Sequence, residues 1–215
     1  MSISKNERVL IVINEIAKGE TDYLYSFIEG AGRVTVQTIL GDDYEKIVKL
    51  YDANATLAKL IAALKTQGAR NSIKRIDLIV MLHGNPGVII FKDGSKNSSD
   101  VKDQIKALNL KPKLRLVYST CCFGDSHSLD FIAAGFDSAI GSKKVNANAA
   151  VEFGPLLSLW QFDVNLSDCL APTIPLTPVA DAAATAYGQA ADTFWKDNVN
   201  STKMLRGNPN LKIST

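Results

Sequence analysis

The sequence predicts an α/β fold, a three-layer α/β/α sandwich around a mostly parallel central sheet. Apolar runs alternate along the chain with stretches of amphipathic helical spacing. Residues 9–14 and 76–82 are almost entirely apolar, which is typical of strands covered on both faces. The chain has 215 residues, 46% hydrophobic and 21% charged, and such a chain can form one domain with a substantial core.

The predicted strands are runs of apolar or β-branched residues. Five are assigned to the sheet, at residues 9–14, 34–40, 76–82, 114–118 and 137–141. A short hairpin or edge strand is predicted at residues 87–93, directly before Gly94.

The predicted helices have apolar residues at helical spacing. They are placed at residues 56–65, 101–108, 129–134, 147–160 and 179–195. In the last helix the predicted apolar face consists of Val179, Ala183, Tyr187, Ala190 and Phe194. We assign residues 1–197 to a single domain and expect residues 198–215 to be a polar, poorly ordered tail.

Charge and hydropathy argue against two classes of partner. The 24 basic and 22 acidic residues are spread along the chain, so there is no basic footprint for nucleic acid or an anionic membrane. No apolar run approaches the ~18 residues of a membrane span, and the first residues contain no apolar signal segment. We therefore expect a cytoplasmic protein that binds neither nucleic acid nor membrane.

The cysteines and histidines limit the chemistry that is available. Cys121, Cys122 and Cys169 do not form a disulfide framework, because two of them are adjacent. His83 and His127 are too few for most zinc schemes, and no regular ligand spacing is present. No metal and no cofactor are expected.

Two predicted strands end in reactive residues. The strand at 76–82 leads into His83 and Gly84, and the strand at 114–118 leads into Cys121 and Cys122. Ligands of open parallel sheets bind beyond the carboxyl ends of the strands, so neighbouring strands would bring an imidazole and a thiol together. A thiolate activated by a nearby base is a nucleophile, and the backbone N–H of Gly84 is a candidate oxyanion donor.

The segments around these residues resemble the caspase/legumain/gingipain superfamily of cysteine peptidases. Residues 83–94 (HGNPGVIIFKDG) are similar to the caspase segment in which His-Gly precedes Gly-Val-Ile-Phe and Asp-Gly. Residues 119–124 (STCCFG), followed by Ala134-Gly135 and residues 139–142 (AIGS), are similar to the CHAT branch. The resemblance covers residues 8–142. It implies a caspase-like fold and a cysteine endopeptidase that acts on peptides or proteins through a His/Cys dyad.

The resemblance leaves two candidate nucleophiles. The Cys-x-x-Gly spacing of legumain, gingipain and CHAT members selects Cys121, which we favour. The Cys-x-Gly spacing of caspases and the double cysteine of metacaspases select Cys122. Residues that could line the specificity pocket are Ser119, Glu15 and Ser142.

Three further expectations remain open. The segment between the cysteines and the next strand is too short to hold a maturation linker, so activation by a protein partner or ligand, or constitutive activity, is expected rather than self-cleavage. The main alternative is a catalytically silent caspase-like fold that serves as an interaction or scaffold module. A weaker one is a thiol hydrolase of small amides or esters.

Esterase mechanisms with a late catalytic histidine are excluded because no histidine follows His127.

Overall fold

The computed structural model describes residues 2–16, 23–173, 177–190 and 194–215. Within these ranges the strands are β1 (Arg8–Glu15), β2 (Lys46–Tyr51), β3 (Arg75–Asn85), β4 (Val88–Phe91), β5 (Gly94–Asn97), β6 (Leu114–Ser119), β7 (Ser138–Ser142) and β8 (Lys203–Gly207). The α-helices in the same ranges are α1 (Tyr23–Leu40), α2 (Leu57–Gly68), α3 (Ser98–Lys106), α4 (Gly124–Ala134), α5 (Ala149–Gln161), α6 (Leu166–Leu170) and α7 (Thr177–Ala190).

The central sheet has the strand order β2-β1-β3-β6-β7-β8. Its first five strands are parallel, and β8 pairs antiparallel with β7. The hairpin of β4 and β5 folds back on the end of β3 and sets His83 opposite Ile90. The catalytic candidate His83 therefore lies where the main sheet continues into a small antiparallel extension.

Two cores cover the faces of the sheet. One core contains alternate residues of β3 packed against α2, α3 and α4, among them Leu82, Leu60 and Phe131. The other contains the intervening residues of β3 packed against α1, α5 and α6, among them Met81 and Trp160. This arrangement confirms the predicted α/β sandwich with a mostly parallel sheet.

One predicted strand is wrong. Residues 34–40 belong to α1, where Val36 and Leu40 are buried one turn apart while Val34 is 65% exposed. The burial follows the helical period, so packing outweighs the β propensity of Val-Thr-Val. The missing strand is β2, an edge strand with exposed Lys46 and Lys49. Lysine is typical of edge strands because it discourages pairing with other chains.

The last predicted helix is present as α7, but its predicted apolar face is wrong. Val179 is 72% exposed and Tyr187 58% exposed, whereas Gly188 is buried. The side chain of Phe194, which the prediction placed on the same face, lies outside the described part of the chain.

The C-terminal segment is not the poorly ordered tail that its polarity suggests. It contributes β8 to the sheet, and beyond that strand Leu211 and Ile213 are buried in the core under α5. Pairing with β7 satisfies its backbone polar groups, which a sequence pattern alone does not reveal. None of the helices within the described ranges has the length and apolar character that a membrane crossing requires.

Candidate active site

The catalytic candidates lie at the carboxyl edge of the sheet. His83 is near the end of β3, and Cys121 and Cys122 directly follow its parallel neighbour β6. Val80 of β3 is in register with Ser119 of β6. Beyond Ser119 the chain leaves the strand and turns through Cys121 and Cys122 into α4, and Gly84, the residue after His83, packs against this turn.

Burial distinguishes the two cysteines. Leu82 and Cys121 both belong to the core beneath α2, α3 and α4. Successive side chains of an extended segment point to opposite faces. His83, the next residue of β3, therefore points to the other face, while Cys122, in the turn after β6, is partly exposed.

The imidazole of His83 is oriented by the backbone after β1. Its Nε2 lies 2.6 Å from the carbonyl oxygen of Ile16. A carbonyl oxygen only accepts, so Nε2 carries the proton and donates it. In the neutral ring the basic nitrogen is then Nδ1, which fits a histidine that exchanges a proton at that atom.

Cys121 is a core residue. Its side chain is fully buried, and its backbone N–H donates to Oγ of Ser119 at 3.3 Å. Burial raises the pKa of the Cys121 thiol to about 11. A thiol with no exposure and so high a pKa is a poor nucleophile near neutral pH.

Cys122 is the partly exposed member of the pair. Its Sγ accepts the backbone N–H of Asn146 at 3.5 Å. Burial raises the pKa of the Cys122 thiol, while the Asn146 N–H and the charge of Lys203 act in the opposite direction. Of the two neighbouring thiols, this one combines solvent access with groups that favour the thiolate.

Gly84 allows the histidine hairpin to approach the cysteine turn. A Cβ at this position would lie 2.5 Å from the carbonyl oxygen of Cys122 and 3.1 Å from Cβ of Cys121. The first contact is shorter than real Cβ atoms make and involves backbone, so only glycine fits here without a shift of the cysteine turn.

Two of the predicted pocket residues are enclosed. Ser119 and Ser142 are 1% and 0% exposed. Oγ of Ser142 lies 3.1 Å from the carbonyl oxygen of Cys121, to which it can donate. Both hydroxyl groups therefore hold the backbone of Cys121 from either side, which is a supporting role for the cysteine turn.

Glu15, the third predicted pocket residue, lies in an acidic cluster at the end of β1. Its carboxylate makes an ion pair with Lys92, and oxygens of Glu15, Glu29 and Asp52 lie within 4.8 Å of one another. Arg33 binds Glu29 and lies 2.7 Å from Asp52. Two cations of the chain itself, Lys92 and Arg33, thus offset two of the three negative charges of the cluster.

A buried polar network lies behind Cys122. Lys203 of β8 is 3% exposed, and its Nζ lies 2.5 Å from Glu152 of α5. The same ammonium donates to Oδ1 of Asn146 at 2.6 Å. Tyr118 donates to Glu152 at 2.9 Å. Burial lowers the pKa of Lys203 and raises that of Glu152, and each opposite charge counteracts the shift of its partner.

Sequence reasoning missed this network and could have ranked the cysteines differently. The period-two pattern of Val117 and Cys121 would assign Cys121 to a buried face. No comparable signal exists for Lys203, because it lies in a segment without an apolar pattern and reaches the site only through the pairing of β8.

The sheet order and layers define the class of the fold as caspase-like. Caspase-1 from Spodoptera frugiperda superimposes with a TM-score of 0.61 over 99% of this chain and 91% of its own, at 10% identity. The Drosophila initiator caspase Dronc gives 0.58 over 99% and 84%, at 13% identity. The Arg-specific cysteine proteinase gingipain R of Porphyromonas gingivalis gives 0.56 over 97% and 48%, at 14% identity.

These similarities concern the fold. The chain spans about half the length of the gingipain R chain that it matches. No protein-family model matches the chain. No curated protein sequence matches it either.

Proposed function

We propose that this protein is a cysteine peptidase in which Cys122 is the nucleophile and His83 the acid/base, acting on a peptide or protein substrate. The observation that supports it most strongly is the packing of Gly84, the residue after His83, against the carbonyl group of Cys122, which brings the histidine strand to the cysteine turn. Cys121 is buried and Cys122 is partly exposed, so accessibility favours Cys122 as the nucleophile. The Cys-x-x-Gly spacing favours Cys121 instead.

The proposed reaction follows from the chemistry of a thiol and an imidazole. His83 takes the thiol proton, and the Cys122 sulfur attacks the peptide carbonyl carbon. The C–N bond then breaks, the proton passes from His83 to the leaving amine, and an acyl thioester remains. Water attacks the thioester with His83 as base, which releases the acid and restores the thiol.

Backbone N–H groups supply the proposed oxyanion site. Gly84 lies against the cysteine turn, and its N–H together with that of Cys122 would donate to the oxygen of the tetrahedral intermediate. The contact of Gly84 with both cysteines supports this assignment, because it holds the two backbone segments in close approach.

The test is labelling with peptidyl electrophiles that carry Arg, Lys, Asp, Asn or Leu at the cleavage position. Mass spectrometry locates the adduct. We expect it on Cys122, with slower labelling in His83→Ala and none at this position in Cys122→Ala. The matched control is Cys121→Ala, which should still be labelled. An adduct on Cys121, or equal labelling of wild type and His83→Ala, would contradict the assignment.

A second candidate function is a silent caspase-like fold that acts as an interaction module. The observation that favours it is the burial of Cys122, which raises the pKa of its thiol. In that case no member of the peptidyl panel labels Cys122, although iodoacetamide does.

A further inference from the structure

The buried network behind Cys122 is unusual in its charge. The side chain of Lys203, with its ammonium group, is only 3% exposed. Burial of a charge is costly unless it is paired and hydrogen-bonded. If Lys203 only belonged to the edge strand of the sheet, its ammonium could remain in solvent. Its burial next to a cysteine therefore indicates a function at the site.

The contacts of Lys203 connect it to the sulfur through one residue. Its Nζ donates to Oδ1 of Asn146 at 2.6 Å, and the backbone N–H of Asn146 donates to Sγ of Cys122 at 3.5 Å. The side-chain amide of Asn146 also donates to the carbonyl oxygen of Thr120 at 2.9 Å. The side-chain amide of Asn146 is thus held at both its oxygen and its nitrogen, and the backbone N–H of Asn146 is directed at the sulfur.

Three elements place titratable groups around the ammonium. Glu152 of α5 forms the close ion pair, Asp181 of α7 acts at longer range, and the Cys122 thiol follows β6. Burial raises the pKa of Tyr118 well above its ordinary value, so Tyr118 stays protonated and donates to Glu152.

We propose that Lys203 is a positioning residue for the Cys122 nucleophile: it holds Asn146 against the sulfur, and its positive charge favours the thiolate. The proposal rests on the proposed function in that it takes Cys122 as the reacting thiol. Glu152 has the opposite effect, because its negative charge offsets the ammonium that the thiolate would otherwise face.

The test is the pH dependence of the reaction of Cys122 with iodoacetamide, with the adduct quantified by mass spectrometry. Because a buried unpaired carboxylate could prevent Lys203→Met from folding, the key comparison is Glu152→Gln against Glu152→Gln/Lys203→Met. These two proteins lack the buried carboxylate and differ only at position 203, in the ammonium charge and its hydrogen bond to Asn146. We expect the midpoint, the pH at which Cys122 reaches half of its maximal alkylation rate, to be about one unit higher in the double variant than in Glu152→Gln.

Further variants separate charge from structure. Lys203→Arg keeps the charge and should retain a midpoint close to wild type, and Glu152→Gln alone should shift the midpoint to lower pH. Equal midpoints for Glu152→Gln and the double variant would overturn the proposal, as would a shift of Lys203→Arg as large as that of the double variant. Thermal unfolding of each variant establishes that it is folded.

This experiment is independent of peptidase activity. Iodoacetamide reports on the thiolate whether or not a peptide binds. Equal midpoints together with peptidyl labelling of Cys122 would refute the role of Lys203 and leave the proposed function intact. Shifted midpoints without peptidyl labelling would support the role of Lys203 and refute the peptidase.

Discussion

Cys121 and Cys122 are adjacent in the chain, but the surroundings of their thiols differ. The first packs into the core with Leu82, and the second reaches partial exposure beside Asn146. Both cysteines lie in the turn between β6 and α4, which buries the first side chain and leaves the second partly exposed. The chemistry available to each thiol is therefore decided by one step along the chain.

At this scale we predict selective alkylation of Cys122 in the folded protein. Only the thiolate reacts, and burial raises the pKa of Cys122 above the ordinary value of 9.0, so the rate should be low at neutral pH and increase as pH rises. Cys121 and Cys169 are fully buried, and burial raises the pKa of each to about 11, so both should react more slowly at every pH.

Peptide mapping after timed exposure to iodoacetamide measures the three rates. In urea the differences should disappear, because the unfolded chain exposes all three thiols. Equal rates for Cys121 and Cys122 in the folded state would contradict the burial that separates them.

At the scale of elements, the close approach of α4 and β7 supports the cysteine turn. A Cβ on Gly141 would lie 2.2 Å from the carbonyl carbon of Gly124, the first residue of α4. Phe123, between Cys122 and α4, has φ +57°, a left-handed conformation that the tight turn requires. Glycine at position 141 therefore lets the helix begin directly after Cys122.

We predict that Gly141→Ala lowers the free energy of unfolding by about 2 kcal/mol or more, because the methyl group overlaps backbone that cannot move freely. The matched control is Gly154→Ala in α5, where a Cβ meets no atom of the described residues within 4 Å. That variant should be more stable by about 0.5–1 kcal/mol, since alanine loses less conformational entropy in a helix. Urea unfolding measures both, and a shift of the same sign in the two variants would refute the steric argument.

At the scale of the whole molecule, the C-terminal segment joins the two ends of the chain. Arg8 of β1 donates to the carbonyl oxygen of Ile213 at 2.6 Å. Arg115 of β6 is fully buried, forms an ion pair with Asp77 of β3 and donates to the carbonyl oxygen of Thr215 at 2.9 Å. The last residues therefore satisfy buried guanidinium groups at the amino edge of the central strands.

We predict that a chain ending at residue 197 does not fold cooperatively. It loses β8, leaves Arg115 with fewer acceptors, and exposes the core that Leu211 and Ile213 cover. Truncating one buried leucine or isoleucine costs about 2–5 kcal/mol, and typical domains have only about 5–15 kcal/mol in total.

Urea unfolding followed by circular dichroism provides the measurement. Phe162→Ser serves as control, because Phe162 is 74% exposed and its loss should change stability by less than about 0.5 kcal/mol. A single sharp transition in the truncated chain would show that residues 198–215 are dispensable for the fold.

The sequence by itself determined the layered α/β fold and the edge at which the candidate dyad lies. The strands at 9–14 and 76–82 are recognisable because strands covered on both faces are near-continuous apolar runs. His83 follows the second of these strands and the cysteine pair follows the strand at 114–118, and parallel strands end at the same edge.

Only the tertiary structure decided which residues share an environment there. Whether residues 34–40 form a strand or a helix depends on what covers them, and the site of Lys203 depends on the pairing of a strand more than 50 residues beyond β7. Burial, pKa and charge pairing at Cys122 arise from side chains that are distant along the chain. A local sequence pattern predicts where a strand ends. The electrostatic environment of the residues at that end depends on all the side chains packed around them.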